Sequence, residues 1–110
     1  MPFTWKISIT KVANPQPNKR ADFAPDPLVD VQIGDQIFWS NNDDEAHYPT
    51  PGIPTSQVVT APLVSNQIAP NSTSSAFAPA QAGVFHYYCS LHIGETGSFV
   101  VSAAPPPSGT

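Results

Sequence analysis

The chain contains one cysteine and only four basic residues, and both shortages restrict what it can be. A single cysteine cannot form a disulfide within the chain, so cysteine pairing says nothing about the redox compartment. Eight acidic residues outnumber the basic ones and give a net charge of −4. A phosphate-binding surface needs clustered lysine and arginine, so this balance argues against a nucleic-acid partner.

Long apolar segments are missing as well. No apolar run approaches the roughly 20 residues that a membrane-spanning helix needs. The opening residues MPFTWKISIT lack the basic segment followed by an apolar segment that marks a secretory signal. What remains is a chain of 110 residues that is 40 % apolar, which suits one domain with a single core.

Proline is abundant, and apolar residues recur with a period of two. Fourteen prolines argue against long helices and favour strands joined by irregular connections. In TWKISIT, Trp5, Ile7 and Ile9 alternate with polar residues, which predicts a strand with one buried face. The next segment, residues 13–27, is polar and rich in proline, and it predicts a long loop that Phe23 pins to the core.

Later segments predict further short strands. A Gly34-Asp35 turn separates two of them, STSSAFAPA predicts an edge strand, and SQVVTAPLV fits either a short strand or a single turn. In VFHYYC the alternation turns His86 and Tyr88 outward. The residues predicted to face the core are Val29, Val31, Ile33, Ile37, Trp39, Phe85, Tyr87, Cys89, Phe99 and Val101, and the predicted edge strand centres on Phe77. About seven short strands without a helical window predict an all-β sandwich over residues 1–103, followed by a proline-rich tail or linker at 104–110.

The stretch FHYYCSLHIGETGSFVV carries the chemistry. Cys89 ends an inward-facing series, and His92 follows on the outgoing turn, so a thiolate and an imidazole could meet at one ion. A third ligand must come from elsewhere, and His47 lies in a loop that can share the same end of a sandwich. Two imidazoles and a thiolate suit copper electron-transfer sites, with zinc as a chemical alternative. The residues alone also allow the simpler interpretation that Cys89 is a small buried apolar residue.

Three segments together resemble the cupredoxins. IGDQIFWSNNDDEAH resembles the stretch that leads to the first histidine ligand, GVFHYYCSLHIGETGSFVV resembles the closing motif, and PNSTSSAFAPAQAG resembles the strand that precedes that motif. The match runs in the right order over about residues 21–102, with plastocyanin, pseudoazurin and amicyanin as similar types. The resemblance implies a Greek-key β-sandwich of about seven to eight strands that binds one copper ion.

The resemblance also implies the ligands. His47, Cys89 and His92 would be the equatorial ligands of a type 1 copper site, and Glu95 falls where the family has its axial methionine. The only methionine is Met1, at the wrong end of the chain. A carboxylate is a harder, anionic ligand than a thioether, so it should favour Cu(II), lower the reduction potential and give a green, red or type-2-like centre. The alternative is a solvated Glu95 that leaves the axial place open.

Several neighbours are expected to support such a site. By the resemblance, the Tyr48 backbone N–H donates toward the cysteine sulfur, and Asn41 or Asn42 ties the ligand loops together. The acidic residues at 43–45 are expected to be solvated while still tuning the potential. An apolar patch for a redox partner is expected from Leu91, Ile93, Pro51 and Ile53.

Three functions remain open at this point. The favoured one is a single-electron carrier, rather than an enzyme, that works with a redox partner protein in the periplasm or at the cell surface. The second is a copper site that binds or turns over a small molecule at an open axial place, as nitrosocyanin suggests by analogy. The third is a copper carrier or sensor. A hydrolase is disfavoured because the three histidines leave none for a Ser-His-acid set.

Overall fold

The structure, a computed structural model, describes residues 3–57 and 62–103. The expected tail at 104–110 and the middle of SQVVTAPLV therefore lie outside the described residues. Eight strands form the described part: β1 (Thr4–Gln16), β2 (Lys19–Ala24), β3 (Leu28–Gln32), β4 (Gln36–Asn41), β5 (Pro49–Ile53), β6 (Ser56–Gln57), β7 (Gly83–Cys89) and β8 (His92–Ser102).

These strands make two sheets that face each other, with the order β2-β1-β4 in one and β3-β8-β7-β5-β6 in the other. β1 pairs with β4 and β3 pairs with β8 in parallel, while the other pairs are antiparallel. The prediction of an all-β sandwich is confirmed. Residues 3–57 and 62–103 contain no helix that could cross a membrane. The core between the sheets includes Ile7, Ile9, Ile37, Trp39, Tyr87, Phe99 and Val101, each buried.

The predicted loop over residues 13–27 is wrong for most of its length. β1 continues to Gln16, and β2 returns along it from the Gln16–Lys19 pair to the Ser8–Ala24 pair. Proline is tolerated here because β1 pairs with β4 only as far as Ile9, so its distal half has a free edge. The predicted role of Phe23 as a core anchor is confirmed by its burial.

The predicted face of β3 is also wrong in part. Val29 and Ile33 are exposed, whereas Leu28 and Val31 are buried. Ile33 lies beyond the end of β3, in the turn before β4. Val29 is exposed because of a local irregularity at Asp30, which has a positive φ of 68° and lies where the pairing with β8 shifts register. One extra residue at such a bulge moves the inward positions out of simple alternation.

Two further expectations need correction. The edge strand expected around Phe77 is reduced to isolated bridges with β4, where the Ser74 hydroxyl accepts the Trp39 N–H and interrupts the ladder. Tyr88, expected to face outward with His86, is buried at a point where β7 has strands on both sides. His86 is exposed, as predicted.

The turn between β3 and β4 is anchored by Asp35. Its buried carboxylate accepts the Trp5 Nε1–H at 3.0 Å and the backbone N–H groups of Gln32 and Phe3 at 3.0 and 2.9 Å. The Trp5 bond, and then the two backbone bonds, stabilise the ionised form and hold the pKa of Asp35 below its ordinary value of 3.8. One side chain thereby joins the start of β1 to the β3–β4 turn.

We expect Asp35→Asn to destabilise the fold by an amount that depends on pH. Because the folded-state pKa of Asp35 is lowered, its contribution is complete above the ordinary value of 3.8 and is lost as pH falls through the folded value. The difference in free energy of unfolding between wild type and variant should therefore shrink in acid. Urea titrations at neutral pH and at successively lower pH measure this, with Asp22→Asn at an exposed position as control. A constant difference would contradict the assignment.

Gly97 on β8 is required by the aromatic ring opposite it. Tyr87 pairs with Gly97 across β7 and β8, and a Cβ at Gly97 would lie 2.5 Å from both the Cζ atom and the hydroxyl oxygen of Tyr87. The ring cannot retreat easily, because Phe23 and Trp39 pack edge-on against it with centroids at 4.8 and 5.4 Å. The glycine therefore serves close packing in the centre of the core.

We expect Gly97→Ala to lower the free energy of unfolding by about 1–3 kcal/mol, as overpacking of a filled core does. Chemical denaturation followed by tryptophan fluorescence measures the loss. Val84→Ala, at an exposed position on β7, is the control and should change stability by less than about 0.5 kcal/mol. Equal stability of Gly97→Ala and wild type would show that Tyr87 has room to move.

Candidate metal centre

Three separate parts of the chain bring four donor residues to one end of the sandwich. His47 lies between β4 and β5, where its backbone N–H and C=O both bond to Ile68. Cys89 ends β7 and pairs with His92 at the start of β8, so only Ser90 and Leu91 form the turn between them. Glu95 follows within β8 rather than in a loop. Both strands and the bridged loop fix the backbone of all four residues.

The donor atoms of these residues form a buried cluster. One ligand atom from each of His47, Cys89, His92 and Glu95 lies within 4.8 Å of the others. The Cys89 sulfur is 3.7 Å from His47 Nδ1 and 3.6 Å from His92 Nδ1. Glu95 Oε1 is 2.8 Å from His47 Nδ1 and 3.5 Å from His92 Nδ1. Both rings therefore present the same nitrogen to the thiol and the carboxylate.

These separations suit one tetrahedrally surrounded ion. Ligand bonds of about 2.0 Å to nitrogen and about 2.3 Å to sulfur place neighbouring donors roughly 3.3 to 3.8 Å apart. The two sulfur-to-nitrogen distances and the His92–Glu95 distance fall in that range. The shorter contact between His47 and Glu95 is a hydrogen bond between the two side chains. The donor set of thiolate, imidazoles and carboxylate fits one copper ion.

Glu95 points inward and is held there by backbone amides. Its Oε2 accepts the N–H groups of Arg20 and Ala21 at 2.7 and 2.9 Å, which leaves Oε1 directed at the two imidazoles. The side chain is only 1 % exposed. A solvated Glu95, the alternative left open by the sequence, does not describe this arrangement.

Charge and protonation in the cluster are coupled. Burial alone would lower the pKa of His47, but hydrogen bonds with Cys89, Glu95 and Asp43 and the charge of Glu95 outweigh it and raise that pKa to about 10. Burial likewise opposes ionisation of Glu95, yet the bond from His47, the Arg20 amide and the two nearby imidazoles lower its pKa. Metal binding at Nδ1 of His47 would therefore compete with protonation of that nitrogen.

The acidic segment before His47 is not simply solvated, which corrects the expectation. Asp43 is 2 % exposed, and its Oδ2 accepts a hydrogen bond from His47 Nε2 at 2.8 Å. Arg20, which sequence reasoning missed, contacts the carboxylates of Asp43, Asp44 and Glu45. Three adjacent acidic residues in a chain with only four basic residues indicate that a basic side chain must lie near them to balance their charge. Sequence spacing could not show which one, since Arg20 lies on a strand predicted to be a loop.

The residues expected to support the site behave differently from one another. The Tyr48 backbone N–H donates to the Cys89 sulfur at 3.3 Å, as expected. Asn41 is buried, and its amide donates to the carbonyls of Glu45 and Ile68 while its oxygen accepts the Asp43 N–H. Asn42 is exposed, and its backbone N–H bonds to Ile9. The side-chain tie between loops thus belongs to Asn41.

The residues of the expected partner patch do not form one group. Leu91 and Ile93 flank His92 and are 41 % and 50 % exposed. Pro51 and Ile53 lie farther along β5, away from the Pro49–Cys89 pair, and line a separate apolar cavity of about 800 Å³. Only Leu91 and Ile93 therefore stand directly beside a donor residue.

No protein-family model and no curated protein sequence matches this chain. Solved structures do resemble it. A purple cupredoxin from Nitrosopumilus maritimus matches with a TM-score of 0.72 and 21 % identity, covering 88 % of this chain and 98 % of the other. Amicyanin from Paracoccus versutus matches with a TM-score of 0.67 and 14 % identity, covering 90 % of this chain and 81 % of the other. The chain has the cupredoxin fold.

The fold that the cupredoxin-like sequence motifs implied is thereby confirmed. Identities this low establish the fold of the sandwich and do not carry the activity of those proteins over to this chain. The chemistry of the cluster follows from its own side chains, which are a buried cysteine, two imidazoles and an inward carboxylate.

Proposed function

We propose that this cupredoxin is a mononuclear copper protein that carries single electrons, with His47, Cys89, His92 and Glu95 as its ligands. The observation that supports it most is the convergence of a thiol and two Nδ1 atoms, with the sulfur 3.6–3.7 Å from each nitrogen. Copper bound there would supply one-electron chemistry by alternating between Cu(II) and Cu(I). Zinc, which shares these ligands, has no such redox change.

The protein's part in electron transfer is to keep the donors still. Cys89 and His92 lie at the facing ends of two paired strands, and His47 is bonded to Ile68 through both backbone groups. The Tyr48 amide holds the sulfur, and two backbone amides hold the carboxylate. Donors fixed in this way need little rearrangement when the charge of the site changes, which favours rapid transfer.

Glu95 makes the proposed centre atypical. One thiolate and one carboxylate bring the charge of ion plus ligands to zero with Cu(II) and to −1 with Cu(I). Such a site favours the oxidised ion and should have a lower potential than a site with a neutral thioether. A hard anionic ligand in place of a thioether would also change the spectrum of a bound copper ion, so we propose a green, red or type-2-like centre rather than a plainly blue one.

Electron exchange with a redox partner protein is proposed to occur beside His92. Leu91 and Ile93 expose apolar side chains on either side of this ligand, which is itself 7 % exposed. Pro51 and Ile53 would contribute only to a partner surface that extended along β5. The proposed setting, the periplasm or the cell surface, rests on the resemblance to cupredoxins alone.

The alternatives receive less support from the geometry. A site that binds or turns over a small molecule needs an open place, but His47, Cys89 and Glu95 are each at most 1 % exposed. The apolar cavity beside β5 is lined by none of the four donors. A copper carrier or sensor needs easy exchange of its ion, which the same burial opposes.

The first test is to add Cu(II) to the purified chain and record visible and EPR spectra. We expect an intense thiolate-to-copper band in wild type, because Cys89 is a proposed ligand, and its loss in Cys89→Ser. The control is His86→Ala, which removes an exposed histidine that lies outside the cluster and should leave the band unchanged. A colourless wild type, or a band that survives in Cys89→Ser, would refute the proposal.

The second test concerns Glu95. In Glu95→Met the potential should rise and the spectrum should move toward that of an ordinary blue site, because an anionic ligand becomes neutral. This variant also leaves two buried N–H groups unpaired, at about 1–3 kcal/mol each, so Glu95→Gln is made beside it. Its amide oxygen can keep those bonds while the NH₂ group, which cannot bind copper, faces the imidazoles.

Cyclic voltammetry and EPR measure both variants, with Glu45→Gln as control because Glu45 is a half-exposed acid near His92. Spectra of Glu95→Met and Glu95→Gln that match wild type would mean that Glu95 is not a ligand.

A further inference from the structure

The second ring nitrogen of His47, Nε2, points away from the cluster and also has a buried hydrogen-bond partner. Its Nε2 lies 2.8 Å from Asp43 Oδ2, and both side chains are fully buried. Asp43 is itself held in place: its N–H donates to Asn41 Oδ1 at 2.9 Å, and its Oδ1 accepts the Asp44 N–H at 2.7 Å. The carboxylate therefore has one oxygen occupied by its own loop and one directed at the imidazole.

A neutral acceptor would be enough to orient the ring. A backbone carbonyl or an amide oxygen at Nε2 would also leave Nδ1 as the nitrogen that faces the cluster. A carboxylate adds a negative charge, and in a buried position that charge is little screened by water. It increases the electron density that the imidazole offers at Nδ1, so the ring becomes a stronger ligand.

Arg20 moderates this charge without removing it. Its Nε lies 3.7 Å from Asp43 Oδ2 and 2.9 Å from Glu45 Oε2, and Asp44 is contacted by both Arg20 and Lys11. The three carboxylates outnumber the two cations that contact them. Negative charge therefore remains beside His47.

The second imidazole offers a comparison within the same structure. His92 Nε2 lies 3.4 Å from Glu45 Oε1, a longer contact, and the Glu45 side chain is 49 % exposed. Water screens such a pair, so its effect on the ligand should be small. The buried pair on His47 is the one with the geometry to influence the metal.

We propose that Asp43 is a positioning residue for His47, which orients the ring through Nε2–H and strengthens Nδ1 as a ligand. This inference rests on the proposed copper function and deepens it. The added donor strength stabilises Cu(II) more than Cu(I), since the more highly charged ion gains more from a negative group nearby. Asp43 therefore acts on the potential in the same direction as Glu95, although it does not touch the ion.

The decisive variant is Asp43→Asn, which keeps the shape and one acceptor oxygen but removes the charge and the second acceptor. We expect Cu(II) affinity, measured by competition with a chelator, to fall by about 10- to 100-fold, the usual effect of removing such a partner. If the affinity for Cu(II) falls tenfold more than the affinity for Cu(I), the reduction potential rises by about 59 mV. Asp44→Asn is the matched control: it removes the same charge one residue away, at a side chain that is 65 % exposed and has no contact with His47.

Arg20→Gln is expected to shift the reduction potential in the opposite direction. It removes the cation beside Asp43, whereas the backbone N–H of residue 20, which holds Glu95, remains. We expect a lower potential in Arg20→Gln and a higher one in Asp43→Asn, a pattern that general damage to the fold would not give. Equal shifts in Asp43→Asn and Asp44→Asn, or no shift in Asp43→Asn, would overturn the proposal.

A separate measurement distinguishes failure of this inference from failure of the proposed function. In metal-free and Cu(I)-loaded protein, the His47 Nε2 proton should give a downfield NMR signal that exchanges slowly, and Asp43→Asn should move it upfield. If wild type binds no copper, the proposed function fails, and this signal still reports whether Asp43 orients the ring. A signal unchanged in Asp43→Asn would overturn the positioning role in either case.

Discussion

One carboxylate joins the two sheets at the end that carries the cluster. Glu95 belongs to β8, and its Oε2 accepts two backbone N–H groups from β2, which lies in the opposite sheet. Its other oxygen meets both imidazoles. One side chain therefore contacts both β2 and the two imidazoles of the cluster. A nearby backbone bond, from Gly94 N–H to Asn18 O at 2.7 Å, supports the same contact.

Burial of so many charged groups at this end is possible because they are paired. His47 lies between the carboxylates of Asp43 and Glu95, and each of these acids has further donors of its own. An isolated buried charge would be costly, whereas hydrogen-bonded pairs of opposite sign are tolerated. Such pairing favours one orientation of the His47 ring, since another rotamer would break its hydrogen bonds with both acids.

The sequence predicted much of this because the relevant signals are local. Alternation identified the buried face of β1 and the inward residues of β7, and the Cys89–His92 spacing brought two candidate ligands together where a strand leaves the sheet. The failures came from effects with no local signal. An irregularity at Asp30 interrupted the alternation of β3, and a hairpin that tolerates proline was predicted as a loop. Arg20 and the burial of Asp43 depend on contacts between segments distant in the chain, which alternation cannot reveal.

The use of backbone amides to hold Glu95 has a consequence for how the chain can vary. A bond donated by a side chain disappears when that residue is replaced, but the N–H groups of Arg20 and Ala21 are present whatever side chains stand at those positions. Proline is the one residue that lacks this group. Substitutions in β2 can therefore change the surface charge beside the site without removing the two hydrogen bonds to the Glu95 carboxylate. The position of the Glu95 carboxylate is thus maintained by the main chain rather than by the side chains of its neighbours.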